Sequence, residues 1–284
     1  MPVQDPDEFR ATARERWERA AQGWGNQRGW WDRSTEPVSR WLIDAIDPQP
    51  GQTILELTAG PGDVGLRIAE RIAPDGRVIA TDGAEAMVEV LRERAQARGL
   101  ADVVEAKSME AEWIDLAAAT VDAAVCRWGY MLLADPGAAL RETRRVLRPG
   151  GRVALAAWDE PSANPWSSAV GRELADRGLI EVDPEAPGQF FWRDQAVIAE
   201  ALQDAGFTDV VVDTVRFTLT YPNPDAWWDV QIDMSPVLPT TLVAVDPAVR
   251  DEIMEAAQAR LAEYAREDGS LDVPAAAHVA RAEA

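Results

Sequence analysis

From Gly51 onward, short apolar runs alternate with stretches whose apolar positions recur at helical spacing. Thr53–Leu57, Arg77–Thr81, Val103–Ala106, Val121–Cys126 and Arg152–Trp158 read as five strands. Between them, Val64–Ile72, Ala86–Arg98 and Pro136–Leu147 read as helices; Gly99 stops the second, and Pro149-Gly150-Gly151 makes a tight turn into the fifth strand. Repeated strand–helix–strand units at this spacing predict a parallel sheet with helices on both faces.

Ahead of this core, Glu8 to Trp24 has a stripe of Phe9, Ala13, Trp17, Ala20 and Trp24, followed by a Gly/Trp segment ending at Trp30-Trp31. Pro37 to Ile46 forms a second helix stopped by Pro48 and Pro50. Residues 1–50 are expected to form a helical arm covering a cofactor pocket. After Trp158 the rhythm breaks at Pro161, Pro165, Pro184 and Pro187. A helix over Asp194–Ala205, a strand over Val210–Leu219, helices over Asp225–Ile232 and Asp246–Glu267, and a last strand over Ala276–Ala282 are expected. The expected division is an arm (1–50), a cofactor-binding core (51–160) and the rest of the sheet (161–284), all in one catalytic domain. Two non-repeating pieces, 161–192 and 221–272, form a lid over the strand ends.

Composition narrows the classes. With 284 residues and 47% hydrophobic content, the chain can bury a sizeable core. Asp and Glu number 49 against 28 Lys and Arg, for a net charge of -21. Such a polyanion repels phosphate backbones, so nucleic acid is not an expected partner. One Cys and one His speak against a His/Cys metal site, and no metal is expected. The solitary Cys126 needs no oxidising compartment, Met1-Pro2-Val3-Gln4-Asp5 does not read as a secretory leader, and no run suits a membrane span. A cytoplasmic protein is expected, with a homodimer left open.

The candidate chemistry centres on Ile54-Leu55-Glu56-Leu57-Thr58-Ala59-Gly60-Pro61-Gly62-Asp63-Val64-Gly65-Leu66. A strand, a small-residue turn and a helix in this order receive a nucleotide-like cofactor at the end of a first strand. Asp82, 20 residues after Gly62 at the end of the second strand, suits two ribose hydroxyls. To this point NAD and S-adenosylmethionine fit equally, because Gly60-x-Gly62-x-x-Gly65 also matches the dinucleotide fingerprint. Glu56 favours the second, since an anion is unwelcome beside a pyrophosphate and useful beside a cationic amino acid. Met109-Glu110-Ala111-Glu112 offers a carboxylate to an adenine amino group. Val146 to Val153 adds a helix–turn–strand unit not expected of dinucleotide proteins.

On Leu55 to Gly62, Ala80-Thr81-Asp82, Met109 to Glu112, Cys126 to Met131, the RVLRPGGRVALAAW stretch and Asn164-Pro165-Trp166, the chain resembles class I S-adenosylmethionine-dependent methyltransferases of the ubiquinone/menaquinone-methyltransferase-like group. The resemblance covers about residues 15–220. It implies a Rossmann-like, seven-stranded, mostly parallel α/β sheet with S-adenosylmethionine as cofactor and S-adenosylhomocysteine as product. Carried over, it puts Glu56, Thr58, Ala59, Gly60 and Gly62 around the methionine part and Asp82 on the ribose. Gly83 and Met87 fall beside the adenine, Met109, Glu110 and Ala111 at its edge, and Arg127 and Trp128 under the sulfonium. Glu56 and Glu110 replace the more usual Asp, and Thr58-Ala59 replaces a common Gly-Cys.

Twelve tryptophans suggest an aromatic-walled pocket for a small, aromatic or lipophilic acceptor of secondary-metabolite or quinone-like type, drawn from Trp30, Trp31, Tyr130, Met131, Trp158, Trp166, Trp192 and Trp228. A general base is poorly marked, with Tyr130, Asp159 and His278 as weak candidates. Methyl transfer from a sulfonium is an in-line displacement that relies mainly on positioning, so no base is required unless the acceptor's proton is reluctant. A protein that binds the cofactor without methylating carries the same motifs, and a nicotinamide-dependent oxidoreductase rests only on the glycine match.

Overall fold

Ile54 and Leu55 of β1 (Thr53–Glu56) are fully buried, as are Val78 of β2 (Arg77–Asp82) and Val121 of β4 (Val121–Arg127). Strands buried on both faces need helices on both sides. In the computed structural model, which describes residues 5–284, they have them. Met1 to Gln4, which open the arm and the leader reading, lie outside the described residues.

The seven strands run in the order β3-β2-β1-β4-β5-β7-β6. β3 (Val104–Ser108), β5 (Leu147–Trp158) and the first-named three are parallel neighbours; β6 (Thr208–Tyr221) and β7 (Leu271–Glu283) are antiparallel additions at one edge. The expected Rossmann-like α/β architecture is therefore the observed one. Helices α3 (Asp63–Ile72), α4 (Glu85–Ala97), α5 (Pro136–Val146) and α7 (Gln195–Asp204) follow strands or precede them in the sheet layers. α6 (Pro165–Asp176) and the trio α8 (Pro224–Met234), α9 (Leu238–Val243) and α10 (Pro247–Ala259) fill the two stretches outside the repeat.

Several boundaries differ from the sequence pattern, each for a physical reason. The Pro149–Gly151 turn is absorbed into β5 as an irregularity. Gly150 has φ 76°, and the register jumps from Val121 opposite Leu147 to Ala123 opposite Arg152. The last strand begins at Leu271 because it pairs along the whole of β6, from Tyr221 opposite Leu271 to Thr208 opposite Glu283. α10 ends at Ala259, and the chain tightens into a turn that buries Leu261 completely.

The N-terminal arm differs most. α1 runs unbroken from Pro6 to Ser34, through the Gly/Trp segment, and α2 (Glu36–Ile46) follows after Thr35. Its start is fixed by Asp5, whose Oδ1 accepts the Asp7 and Glu8 N–H groups at 3.1 Å. Gly23 serves close packing: a Cβ there would collide with the Asp233 carbonyl oxygen of α8. The helix pays the glycine's propensity cost to bring the two backbones together. No helix among the described residues is long and apolar enough to cross a membrane.

Candidate active site

A cavity opens at the carboxyl ends of β1, β2 and β4 and holds about 1070 Å³ of empty space, its open mouth included. Its floor is the turn after β1. There Thr58 has φ 50° and Gly60 φ 52°, both left-handed. A β-branched residue pays steric strain in that region. Thr58 offsets part of it by donating its hydroxyl to the Leu57 carbonyl at 2.6 Å, with Cys126 Sγ 3.2 Å away. Gly129 must be glycine beside it, because a Cβ there would overlap the Thr58 hydroxyl.

Glu56 is 2% exposed and borders the cavity. Its Oε2 has no hydrogen-bond partner, and a Cβ on Gly65 would collide with it. The third glycine of the literal fingerprint thus makes room for the Glu56 carboxylate where α3 packs on β1. Burial pushes the Glu56 carboxyl up to about 8, against the opposing influence of the adjacent Gly65 backbone, Arg127 and Arg94. Its ionised form is therefore favoured only when a cation is brought beside it.

Asp82 closes β2. Its Oδ2 accepts the Gly60 N–H at 2.8 Å and its Oδ1 accepts the Ala84 N–H at 3.0 Å. Each oxygen retains a lone pair for a further donor, as a bidentate ribose contact needs. Burial raises its carboxyl to about 6, the two N–H groups oppose this, and Glu110 and Glu18 reinforce it. Gly83 sits so close to Glu110 that a Cβ would lie 3.3 Å from Oε2.

Of the thirteen residues expected at the cofactor, twelve border this cavity: Glu56, Thr58, Ala59, Gly60, Asp82, Gly83, Met87, Met109, Glu110, Ala111, Arg127 and Trp128. Gly62 does not; it is the left-handed residue before α3 (φ 79°), packed against Leu91. Arg127 is also less free than expected. It donates to Thr35 Oγ1 and Ser39 Oγ at 2.8 Å and to Asp63 Oδ2 at 2.6 Å, with its guanidinium 4.8 Å from the Trp128 ring. Asp63 also takes Arg94 at 2.6 Å. Burial would raise the Asp63 carboxyl, but Arg127 and Arg94 outweigh it and hold the group below its ordinary range.

The helical arm supplies a further wall: Phe9, Ala13 and Trp17 of its expected stripe border the cavity, together with Arg10 and Arg14, which no local pattern marks. Arg10 pairs with Glu112 and Arg14 with Glu110, while the Glu18 carboxylate accepts the Glu85 and Ala86 N–H groups at the start of α4. The helical stripe gave α1 an inner face but not these polar partners, which lie 67 to 102 residues away.

The expected acceptor wall requires correction, because none of its eight residues borders the cavity. Trp31, Trp158, Trp166 and Trp192 are buried, as are Tyr130 and Met131, while Trp30 and Trp228 are half-buried. They form a packed cluster alongside. Trp31 lies 5.5–6.1 Å from Trp24, Trp30, Trp128, Trp158 and Trp166 between ring centroids, and Trp128 stacks flat on Trp158 at 4.2 Å. Large apolar faces gain most by covering one another.

The weak base candidates also lie off the cavity. The Tyr130 hydroxyl meets Thr143 Oγ1 at 2.6 Å, and burial holds its ionisation well above the usual value. His278 contacts Thr214 Oγ1 at 2.9 Å, the Arg193 carbonyl at 3.0 Å and Asp159 Oδ1 at 3.2 Å. Cys126 is fully buried, which pushes its thiol up to about 11. Among the described residues no cluster of three His, Cys, Asp or Glu side chains is arranged to hold a metal ion.

Residues 54–151 match the model of a methyltransferase domain. The chain is 30% identical over 187 residues to the ubiquinone/menaquinone biosynthesis C-methyltransferase of Klebsiella pneumoniae, covering 60% of this chain and 72% of that one. Among solved structures, a candidate methyltransferase from Bacillus halodurans C-125 superposes with a TM-score of 0.56 at 16% identity, over 86% of this chain and 97% of its own. The (4+2)-cyclase SpnF superposes with a TM-score of 0.52 at 17% identity, over 88% and 80%; both likenesses concern the fold alone. The fold, the buried acidic residue beside the glycine turn and the curated relative agree: the chain belongs to the class I S-adenosylmethionine-dependent methyltransferases.

Proposed function

We propose that the protein methylates a flat, lipophilic, aromatic small molecule, with the cavity between α1 and the strand ends as the cofactor site. Glu56 carries the reading. A buried acidic side chain bordering the cavity beside the glycine turn suits the ammonium and sulfonium end of S-adenosylmethionine. When bound, that cofactor supplies an electrophilic methyl group. Ala59 and Gly60 let the backbone approach its methionine part, and Asp82 holds the ribose. Gly83, Met87, Met109 and Ala111 flank the adenine, with Glu110 accepting from its amino group. Trp128 backs the sulfonium, and Arg127, neutralised by Asp63, holds Trp128 in place.

The acceptor falls on the side of the cavity that Trp128 borders. The curated relative is by name a C-methyltransferase of ubiquinone and menaquinone biosynthesis, which supports a lipophilic small-molecule acceptor. Tyr130, Asp159 and His278 are each held by other groups, so catalysis rests on positioning and exclusion of water. The acidity and lone cysteine support a cytoplasmic location with no nucleic-acid partner. A homodimer is the assembly to test by light scattering.

Calorimetry with S-adenosylmethionine, S-adenosylhomocysteine and NAD(P) tests the cofactor: binding of both adenosyl compounds is expected, and a response to NAD(P) alone overturns the reading. Labelled cofactor with a small-molecule extract tests the transfer. A product gaining one methyl is expected. A cofactor-dependent product with no mass gain would favour a non-methylating reaction, a chemistry that the cyclase neighbour performs on the same fold.

A further inference from the structure

Arg10, Arg14 and Glu18 of α1 stand four residues apart, so they share one face of the helix and reach three separate segments of the core. Arg10 is fully engaged. It pairs with Glu112 and with Asp7 at 2.9 Å, and its guanidinium lies 4.4 Å from the Trp113 ring. Glu112 is buried and also accepts the Asp135 N–H at the start of α5. Glu18 accepts the Glu85 and Ala86 N–H groups at 2.6 and 2.9 Å, a cap for α4 that Ala84 has no side chain to make. These two residues are anchors, and they fix where α1 lies over the cavity.

Arg14, between the anchors, differs from both. Its partner is Oε1 of Glu110, and half of its side chain is exposed. An ion pair this exposed contributes little to stability, so the fold gives little reason for it. What Arg14 does fix is a carboxylate. The second oxygen of Glu110, Oε2, accepts from no described residue and lies against Gly83, where a Cβ would stand 3.3 Å away. The carboxylate is thus held at one oxygen by a guanidinium and hemmed at the other by a backbone without a side chain. One accepting oxygen remains for a ligand in the cavity that Gly83, Glu110 and Arg14 all border. A carboxylate only accepts, so a base with an amino group complements it and one with a carbonyl in that place is repelled.

We propose that Arg14 is a positioning residue for the choice of base: by holding Oε1 of Glu110 it fixes Oε2 to accept from the 6-amino group of adenine. This deepens the reading of the cavity as the S-adenosylmethionine site and rests on it. Without Arg14 the Glu110 side chain is free to swing toward solvent, and the contact that tells an amino group from an oxo group loosens.

The test is calorimetry on the full chain with S-adenosylhomocysteine and its 6-oxo analogue, S-inosylhomocysteine. The amino compound is expected to bind at least about tenfold more tightly, the scale of a hydrogen bond to a charged group. Arg14→Met is expected to cut that preference by about threefold or more, and Arg14→Lys to restore most of it; added to Glu110→Ala, Arg14→Met should change it no further. A merely structural Arg14 would weaken both compounds alike and leave their ratio intact, a result that overturns the proposal and spares the cofactor site. An unchanged or sharper preference in Arg14→Met overturns it too. Equal binding of the two compounds to the unaltered protein would remove Glu110 from the base, and the proposal with it. Failure of S-adenosylhomocysteine itself to bind would instead strike the cofactor reading.

Discussion

Gly23 of α1 lies so close to Asp233 of α8 that even a methyl group would overlap the Asp233 carbonyl oxygen. That oxygen is backbone and cannot swing aside. Gly23→Ala is expected to lower stability by about 2–3 kcal/mol, the usual penalty for overpacking, even though alanine is the better helix former. Urea denaturation checks it. A stabilised variant would show that the helices are not in this contact.

Asp63 is a second point of concentrated stability. Its fully buried carboxylate neutralises Arg94 and Arg127, whose side chains are 10% and 7% exposed. Asp63→Asn would leave two buried guanidinium groups short of a charge, and about 3–5 kcal/mol should be lost. Arg127 would then release Thr35 and Ser39, so cofactor affinity should fall as well. A denaturation curve and a titration with S-adenosylhomocysteine on the same variant read both effects.

Glu56 gives the protein a pH signature. Its carboxyl is raised from 4.5 to about 8 in the folded state, so between these values the folded chain holds a proton that the unfolded chain has released. Stability from this group is full below about 4.5 and declines as pH rises toward 8, by on the order of a few kcal/mol. Asp82, raised from 3.8 to about 6, acts with the same sign over a lower window. Asp63, depressed, acts oppositely and loses its contribution only in acid. Chemical denaturation at pH 5, 6.5 and 8 should show the decline, and Glu56→Gln should flatten its upper part.

The same proton links to binding. If a cationic ligand end is held by ionised Glu56, binding at pH 7 must expel the proton, and affinity should rise from pH 6 toward 8 by up to about tenfold per unit. Calorimetry in two buffers of different ionisation enthalpy counts the proton. Glu56→Gln should abolish the release; unchanged release would assign it elsewhere.

Asp82→Ala removes a carboxylate that braces the Gly60 and Ala84 N–H groups as well as the proposed ribose contact. S-adenosylhomocysteine binding should weaken by about 1–3 kcal/mol. The free protein should also lose stability, since two donors lose their acceptor. A variant with normal affinity would remove Asp82 from the cofactor site.

The sheet core was legible because β1, β2 and β4 are buried on both faces and so appear as unbroken apolar runs, while Asp82 and Glu56 mark their ends with charge where charge is costly. What the chain did not disclose were relationships across long separations. Arg14 meets Glu110 across 96 residues, and no local pattern signals it. The place of Gly23 against α8 is equally hidden, because a glycine's letter does not say whether it serves freedom or proximity. The tryptophans were read as pocket walls because a large aromatic residue near a strand end suits a wall and a core equally well. Contact between the rings decides for packing.

α1 is a single rod, roughly 43 Å long at 1.5 Å per residue. Its early turns, Phe9 to Trp17, border the cofactor cavity; its last, Trp30 and Trp31, sit in the aromatic cluster; and Gly23 presses on α8 between them. A stiff beam resting on a central fulcrum couples what happens at its two ends. A change at the cofactor end of this rod is then expected to reach the aromatic cluster at the other end. Spin labels at its two ends should shift together when S-adenosylhomocysteine is added, and independent shifts would show that the beam bends.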